Sequence, residues 1–263
     1  MVAAAGQGNN PRAATPVTAT YLKRTCLACL AVAMLAALAL WPEVPAWRAS
    51  GTRALEVSPL GSGPTDGLCP APGDVIELRG DSLVSGSRMG LPAGTTERAY
   101  PQVMQDQFAF PVKVVASGIG GFTAPMAERH WRDTPTQGHI VMLALGTNDA
   151  ATRGWLSGKQ PVPVADFKAA LTRQLARLRS QGARPALIAP PPTGSQAMNE
   201  RLAPYRQAVA AVGTATGTPV LDPAEAVAGC ADEQPLLVRD ALHLNQAGHQ
   251  CIGRWLASAI CKA

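Results

Sequence analysis

Val75-Ile76-Glu77-Leu78-Arg79-Gly80-Asp81-Ser82-Leu83 reads as a short buried strand running into a tight turn that carries one serine. Val75, Ile76 and Leu78 supply the β-branched and apolar residues of the strand. Gly80 frees the backbone to turn, and Asp81-Ser82 falls where the strand hands over to the next segment. In an open α/β sheet, ligands and chemistry collect at the carboxyl ends of the strands. Taken alone, Gly-Asp-Ser is most often only a turn. Arg79-Gly80-Asp81 also matches an adhesion tripeptide, which is common by chance and here abuts a buried strand.

Outward from this stretch the pattern alternates. Strands are expected at Val112–Val115, His139–Leu145, Pro185–Ile188 and Pro219–Leu221. Helical spacing is expected over 96–107, 124–132, 164–178, 196–216 and 245–261. In the third of these, Phe167, Leu171, Leu175 and Leu178 share one face. His139–Leu145 is almost wholly apolar, as expected of a parallel strand covered on both faces. The sequence therefore predicts an α/β fold, a three-layer α/β/α sandwich with a central parallel sheet of about five strands. No internal repeat is present.

Four strand ends carry polar or glycine-rich segments: Gly80-Asp81-Ser82, Gly118 to Gly121, Gly146-Thr147-Asn148-Asp149 and Asp240-Ala241-Leu242-His243. Each has a bland reading. The glycines lack both the G-x-G-x-x-G spacing and a Walker lysine, Asn148-Asp149 can cap a helix, and an isolated histidine is usually structural. Jointly they match what acyl transfer needs. Ser82 is the candidate nucleophile and His243 the candidate base. Asp240, three residues earlier, would share a face with His243 in a helical turn. Gly121 can present a backbone N–H, and Asn148 a side-chain amide, to an oxyanion. His249 is the only nearby rival to His243 and is expected on a helix surface.

These four blocks, in this order over roughly residues 74–262, resemble the SGNH (GDSL) hydrolase family of esterases and lipases. The resemblance implies a flavodoxin-like sheet and a Ser82–His243–Asp240 triad. It also implies an oxyanion hole from the N–H groups of Ser82 and Gly121 and the Asn148 amide, with no metal or other cofactor. Activity should rise as His243 loses its proton. One departure is Ala116, where the family's second block often begins with asparagine. The implied substrate is an acyl ester, with short-chain or acetyl esters, including glycan O-acetyl groups, favoured. A lipase, lysophospholipase or thioesterase on longer chains is the alternative, and a non-catalytic envelope-binding module the alternative of another class. Met89, Leu91 and Trp155, in the loops 84–95 and 150–163, are expected to shape the acyl pocket.

The 263 residues are 47% hydrophobic and 16% charged, enough apolar content for one packed domain. The formal charge is +5, but Arg12, Lys23, Arg24, Arg48 and Arg53 against Glu43 and Glu56 place most of it before residue 57. No basic stripe with interleaved aromatics follows, so nucleic-acid binding is not supported. Residues 1–20 read as a disordered tail. Residues 21–46, with Lys23-Arg24 before an apolar run from Thr25 to Trp41, read as a signal peptide or membrane anchor, the run contacting membrane if it is uncleaved. Val44-Pro45-Ala46 offers small residues for cleavage. Residues 47–73 read as a linker and 74–263 as the hydrolase domain. The domain is expected outside the cytoplasmic membrane, as a monomer. Cys69, Cys230, Cys251 and Cys261 then allow two disulfides in three connectivities, with Cys69–Cys261 and Cys230–Cys251 preferred. Zinc is disfavoured because no Cys-x-x-Cys pair lies in this part.

Overall fold

The computed structural model describes residues 51–61, 65, 67–86, 98–151, 160–230 and 234–261. The expected tail and signal or anchor segments at 1–20 and 21–46 lie outside the described residues, as do Met89, Leu91 and Trp155. Among the described residues no helix is long and apolar enough to cross a membrane.

Five strands form one sheet: β1 (Val75–Gly80), β2 (Lys113–Gly118), β3 (Ile140–Ala144), β4 (Arg184–Ile188) and β5 (Val220–Leu221). All neighbours are parallel and the order is β2-β1-β3-β4-β5. The chain leaves β1 toward one edge for β2, then returns past β1 to β3. The switch point between β1 and β3 opens a crevice at the strands' carboxyl ends, where open α/β sheets hold their ligands.

The period of two along each strand sends alternate side chains to opposite faces. Ile76, Leu78, Met142, Ile188 and Leu221 pack on one side with Tyr100, Met104, Ile252 and Leu256. Those partners come from α2 (Tyr100–Gln105) and α8 (Gln246–Ala259). Val141, Leu143, Leu187 and Val220 face the other way, against α3 (Ala124–His130), α5 (Val164–Ser180) and α6 (Gln196–Thr216). The expected stripe Phe167, Leu171, Leu175 and Leu178 is the buried face of α5. The three-layer reading of the sequence is the architecture observed. Among the described residues, three short helices add to it: α1 (Ser82–Ser85), α4 (Thr147–Ala150) and α7 (Ala224–Cys230).

On β1 the second face is not apolar. Glu77 and Arg79 point into the body at 2% and 3% exposure. The Arg79 guanidinium donates to both Glu77 oxygens (2.8 and 3.3 Å) and to Pro135 O (3.2 Å), and lies 5.5 Å from the Trp131 ring centroid. Glu77 also accepts from the Ser117 and Thr136 hydroxyls and from the Gln137 N–H. Burial alone would raise the Glu77 pKa. These hydrogen bonds and the guanidinium outweigh it and hold the carboxyl below its ordinary value. A buried charge pair so fully satisfied tolerates loss of neither partner.

Both disulfides end on or next to α8. Cys230–Cys251 ties α7 to it and Cys69–Cys261 ties the stretch before β1 to its end. The stretch expected as a linker is, from Gly51 on, part of the compact unit that holds the sheet. Ala54 and Leu68 are buried, and Leu60 N–H donates to Asp222 (2.7 Å). Its proline, glycine and serine content reads as a linker because its apolar anchors are few and widely spaced.

Candidate active site

Ser82 is set by the way β1 ends. A Cβ on Gly80 would sit 2.3 Å from Val84 Cγ2 and 2.6 Å from Ala144 O, so only glycine lets α1 fold back this closely. Asp81 then caps α1, its Oδ1 accepting from Leu83 N–H at 2.9 Å. Its other oxygen accepts from Asn148 Nδ2 at 3.1 Å. Ser82, the first residue of α1, therefore stands between a strand end and a capped turn, with Asn148 tied to the residue before it.

The loop before α8 brings the other two groups. Ser82 Oγ lies 2.9 Å from His243 Nε2, and His243 Nδ1 lies 2.7 Å from Asp240 Oδ2. A carboxylate only accepts, so Nδ1 carries the proton and Nε2 is left to accept from the serine hydroxyl. Asp240 and His243 do not share a helical turn, as the sequence had suggested. Residues 240–243 form a loop in which Ala241 takes a left-handed conformation (φ 58°). Asp240 Oδ1 gathers the loop by accepting from the N–H groups of Leu242 (3.0 Å) and His243 (2.9 Å). An aspartate that bonds the backbone two and three residues on favours such a turn over a helix. Burial works to raise the Asp240 pKa. The His243 ring bond and the two N–H bonds prevail and hold it at about 2.

The glycine-rich segment closes the site from the β2 side. Phe122 N–H donates to Ile119 O (3.2 Å), forming a turn whose third residue, Gly121, has φ 80°. That conformation favours glycine. Ile119 N–H donates to Gly80 O (3.0 Å), which fixes the turn to the end of β1, and a Cβ on Gly120 would lie 4.0 Å from Ser82 Cβ. Asn148 lies in α4, directly after β3. One hydrogen of its amide engages Asp81, and the other has no partner among the described hydrogen bonds. Ala116 sits within β2 opposite Leu78, before the turn.

His249 does not lie on a helix surface. It is 1% exposed inside α8, stacks on Tyr100 (centroids 5.9 Å apart) and accepts the Tyr100 N–H at Nδ1 (3.1 Å). Burial first, then the charge of His243, lowers its pKa to about 4. It is neutral at ordinary pH and has no contact with Ser82 Oγ among the described hydrogen bonds. The sequence reading also missed the Asp81–Asn148 contact. Its only signal was an aspartate in the position of a helix cap.

Ser82, His243 and Asp240 thus form one hydrogen-bonded relay at the switch point, with Gly121 and Asn148 on the neighbouring strand ends. Residues 78–251 match the GDSL-like lipase/acylhydrolase family. The chain belongs to that family. It is accordingly an ester hydrolase of the GDSL type. Solved structures share the fold. An α/β hydrolase enzyme from the metagenome of Lake Arreo, Spain, is 20% identical (TM-score 0.60), the match covering 75% of this chain and 100% of that one. An acetylxylan esterase from Geobacillus stearothermophilus is 19% identical (TM-score 0.59), covering 73% and 96%. A lipase/acylhydrolase from Enterococcus faecalis is 24% identical (TM-score 0.56), covering 71% and 95%. A search of curated proteins finds no match.

Proposed function

We propose that this GDSL hydrolase is an exported serine esterase that removes short acyl groups, acetyl above all, with glycan O-acetyl esters as its natural substrate class. The observation that carries the reading is the relay from Ser82 Oγ through His243 to Asp240, with contacts of 2.9 and 2.7 Å.

In the reading, His243 Nε2 takes the Ser82 hydroxyl proton as Oγ attacks the ester carbonyl. Asp240 keeps the ring in the tautomer that can do so and stabilises the imidazolium. The carbonyl oxygen becomes an oxyanion, received by the N–H groups of Ser82 and Gly121 and the second amide hydrogen of Asn148. Collapse breaks the carbon–oxygen bond to the alcohol, which leaves with the proton from His243. Water, deprotonated by the same ring, then splits the acyl-serine and restores the enzyme.

Short acyl groups on glycans are supported by the likeness to the acetylxylan esterase. Export is supported by the two disulfides, which persist in oxidising compartments, and by the basic and apolar character of residues 21–46. Turnover of p-nitrophenyl acetate, butyrate, octanoate and palmitate by the oxidised protein, beside Ser82→Ala, tests the reading. Activity confined to the wild type and falling with chain length is expected. Activity rising toward palmitate would move the substrate to lipid esters. Equal turnover by Ser82→Ala would remove the serine mechanism.

A further inference from the structure

Gly51–Leu55, at the start of the compact unit that holds the sheet, has no part in the chemistry above, yet it lies against the loop that carries it. Leu236–Asn245 is a narrow ribbon doubled on itself. Asn245 N–H donates to Leu236 O (3.0 Å), and Val238 N–H donates to His243 O (2.8 Å). Arg239–Leu242 is its tip. Leu237 bridges Leu244 on one side and Thr52 on the other, both antiparallel. Thr52 N–H donates to Leu237 O (2.8 Å) and Leu237 N–H returns to Thr52 O (3.0 Å).

A second contact reaches the tip itself. Leu55 N–H donates to Thr193 O (2.9 Å), and the next residue, Gly194, donates its N–H to Ala241 O (2.8 Å). Two glycines make these approaches possible. A Cβ on Gly51 would lie 2.4 Å from Leu237 O, and one on Gly194 would lie 2.7 Å from Thr52 Cγ2 and 3.1 Å from Ala241 Cβ.

Resting on the proposed triad, we infer that Gly51–Leu55 is a positioning strap, a third strand-like rung that holds the Asp240–His243 loop in register with Ser82. The physical need is plain. A two-stranded ribbon is marginal on its own, and its tip contains a non-glycine residue in the left-handed region. Without Thr52 its outer edge would lose the partner of the Leu237 N–H and leave the Leu237 C=O only the longer contact from Asn245 Nδ2 (3.4 Å). The strap satisfies that edge and, through Thr193-Gly194, backs the tip. Its residues touch no substrate; they act through the ribbon. Cleavage after Ala46 would leave the strap on the mature chain, whereas cleavage within 51–55 would remove it.

Gly51→Val and Thr52→Pro, each in the full chain, release the strap, the first by collision with Leu237 O and the second by deleting the Thr52 N–H. Thr52→Val keeps the backbone pair and is the conservative control. Leu175→Ala, in the core on the far face of the sheet, controls for lost stability alone. The readouts are kcat and KM on p-nitrophenyl acetate, and the downfield proton resonance of His243 Nδ1–H against Asp240, which needs no substrate. We expect kcat to fall about 10–100-fold with KM held in both strap variants, and the resonance to broaden. Thr52→Val should match the wild type, and Leu175→Ala should lower Tm while leaving kcat and the resonance unchanged. Unchanged kcat and resonance in both strap variants would overturn the strap. A wild type without Ser82-dependent turnover would instead overturn the hydrolytic mechanism, and the resonance would still decide the strap.

Discussion

The loop Leu236–Leu244 and the helix α8 that follows it each carry a histidine, and the two rings live in opposite circumstances. His243 has both nitrogens engaged by groups that can exchange a proton, a hydroxyl on one side and a carboxylate on the other. His249 is sealed in the core, stacked on Tyr100, with one nitrogen spent on a backbone N–H. The contrast shows that a histidine's role follows from the partners its backbone provides. A left-handed turn at Ala241 aims one ring at Ser82, while helix geometry six residues later buries the other.

The sharpest way to break the contrast is to remove each ring in turn. His243→Ala should lower kcat on p-nitrophenyl acetate by roughly 10³–10⁶ with the fold intact by circular dichroism. His249→Asn, whose Oδ1 can replace Nδ1 as acceptor, should keep kcat within about threefold. Comparable losses in the two variants would show that both rings serve the reaction.

Next in size, Asp240→Asn tests whether the carboxylate sets the tautomer. An amide can donate to Nδ1, which would place the ring proton on Nε2, facing the serine. A fall of about 10⁴ in kcat is expected, with little change in KM. A fall below about tenfold would reduce Asp240 to a loop staple, a role its two backbone bonds would still support. Smaller again is the oxyanion contribution. Asn148→Ala should cost about 10²–10³ in kcat, seen as a loss in kcat and not in KM. A loss carried by KM alone would assign Asn148 to ground-state binding.

Much of this was legible before the structure. Continuous apolar runs such as His139–Leu145 can sit only in a sheet covered on both faces, and the strand–helix alternation made that sheet parallel. Ser82, Gly121, Asn148, Asp240 and His243 could be named as candidates because acyl transfer needs those residue types at strand ends and four ordered blocks supply them, and the structure brings Ser82, His243 and Asp240 into hydrogen-bond contact. What was not legible depended on pairing between distant segments. Glu77 and Arg79 look like surface residues in a strand until Ser117, Thr136 and Gln137 are brought beside them. Gly51–Leu55 looks like a linker because its contacts are backbone hydrogen bonds, which leave no mark on composition. The geometry of Asp240 and His243 was misread as helical because a spacing of three suits both a helix and an aspartate-led turn. His249 was misread because its i, i+3 neighbours do not reveal that α2 covers it.

The gentlest test of the contrast uses acid. Burial and the His243 charge depress His249 from 6.5 to about 4, so below about pH 6.5 the unfolded chain takes a proton that the folded chain refuses. The stability tied to its neutral ring is fully present above that pH and is lost as pH falls toward 4, by about 3 kcal/mol in all. Asp240 behaves differently. Its folded value of about 2 lies under the ordinary 3.8, so its contribution is present above about pH 4 and is lost only as pH falls from there toward 2. Its side chain is 38% exposed, which keeps that second step small. Urea midpoints measured from pH 7 down to pH 2.5 should therefore show an early slope and a late one. His249→Asn should flatten the early slope, whereas Asp240→Asn should only lessen the late one, to which Glu77, also held below its ordinary value, contributes as well. An early slope that survives His249→Asn would place its source elsewhere and leave His249 without the sealed, neutral character that separates it from His243.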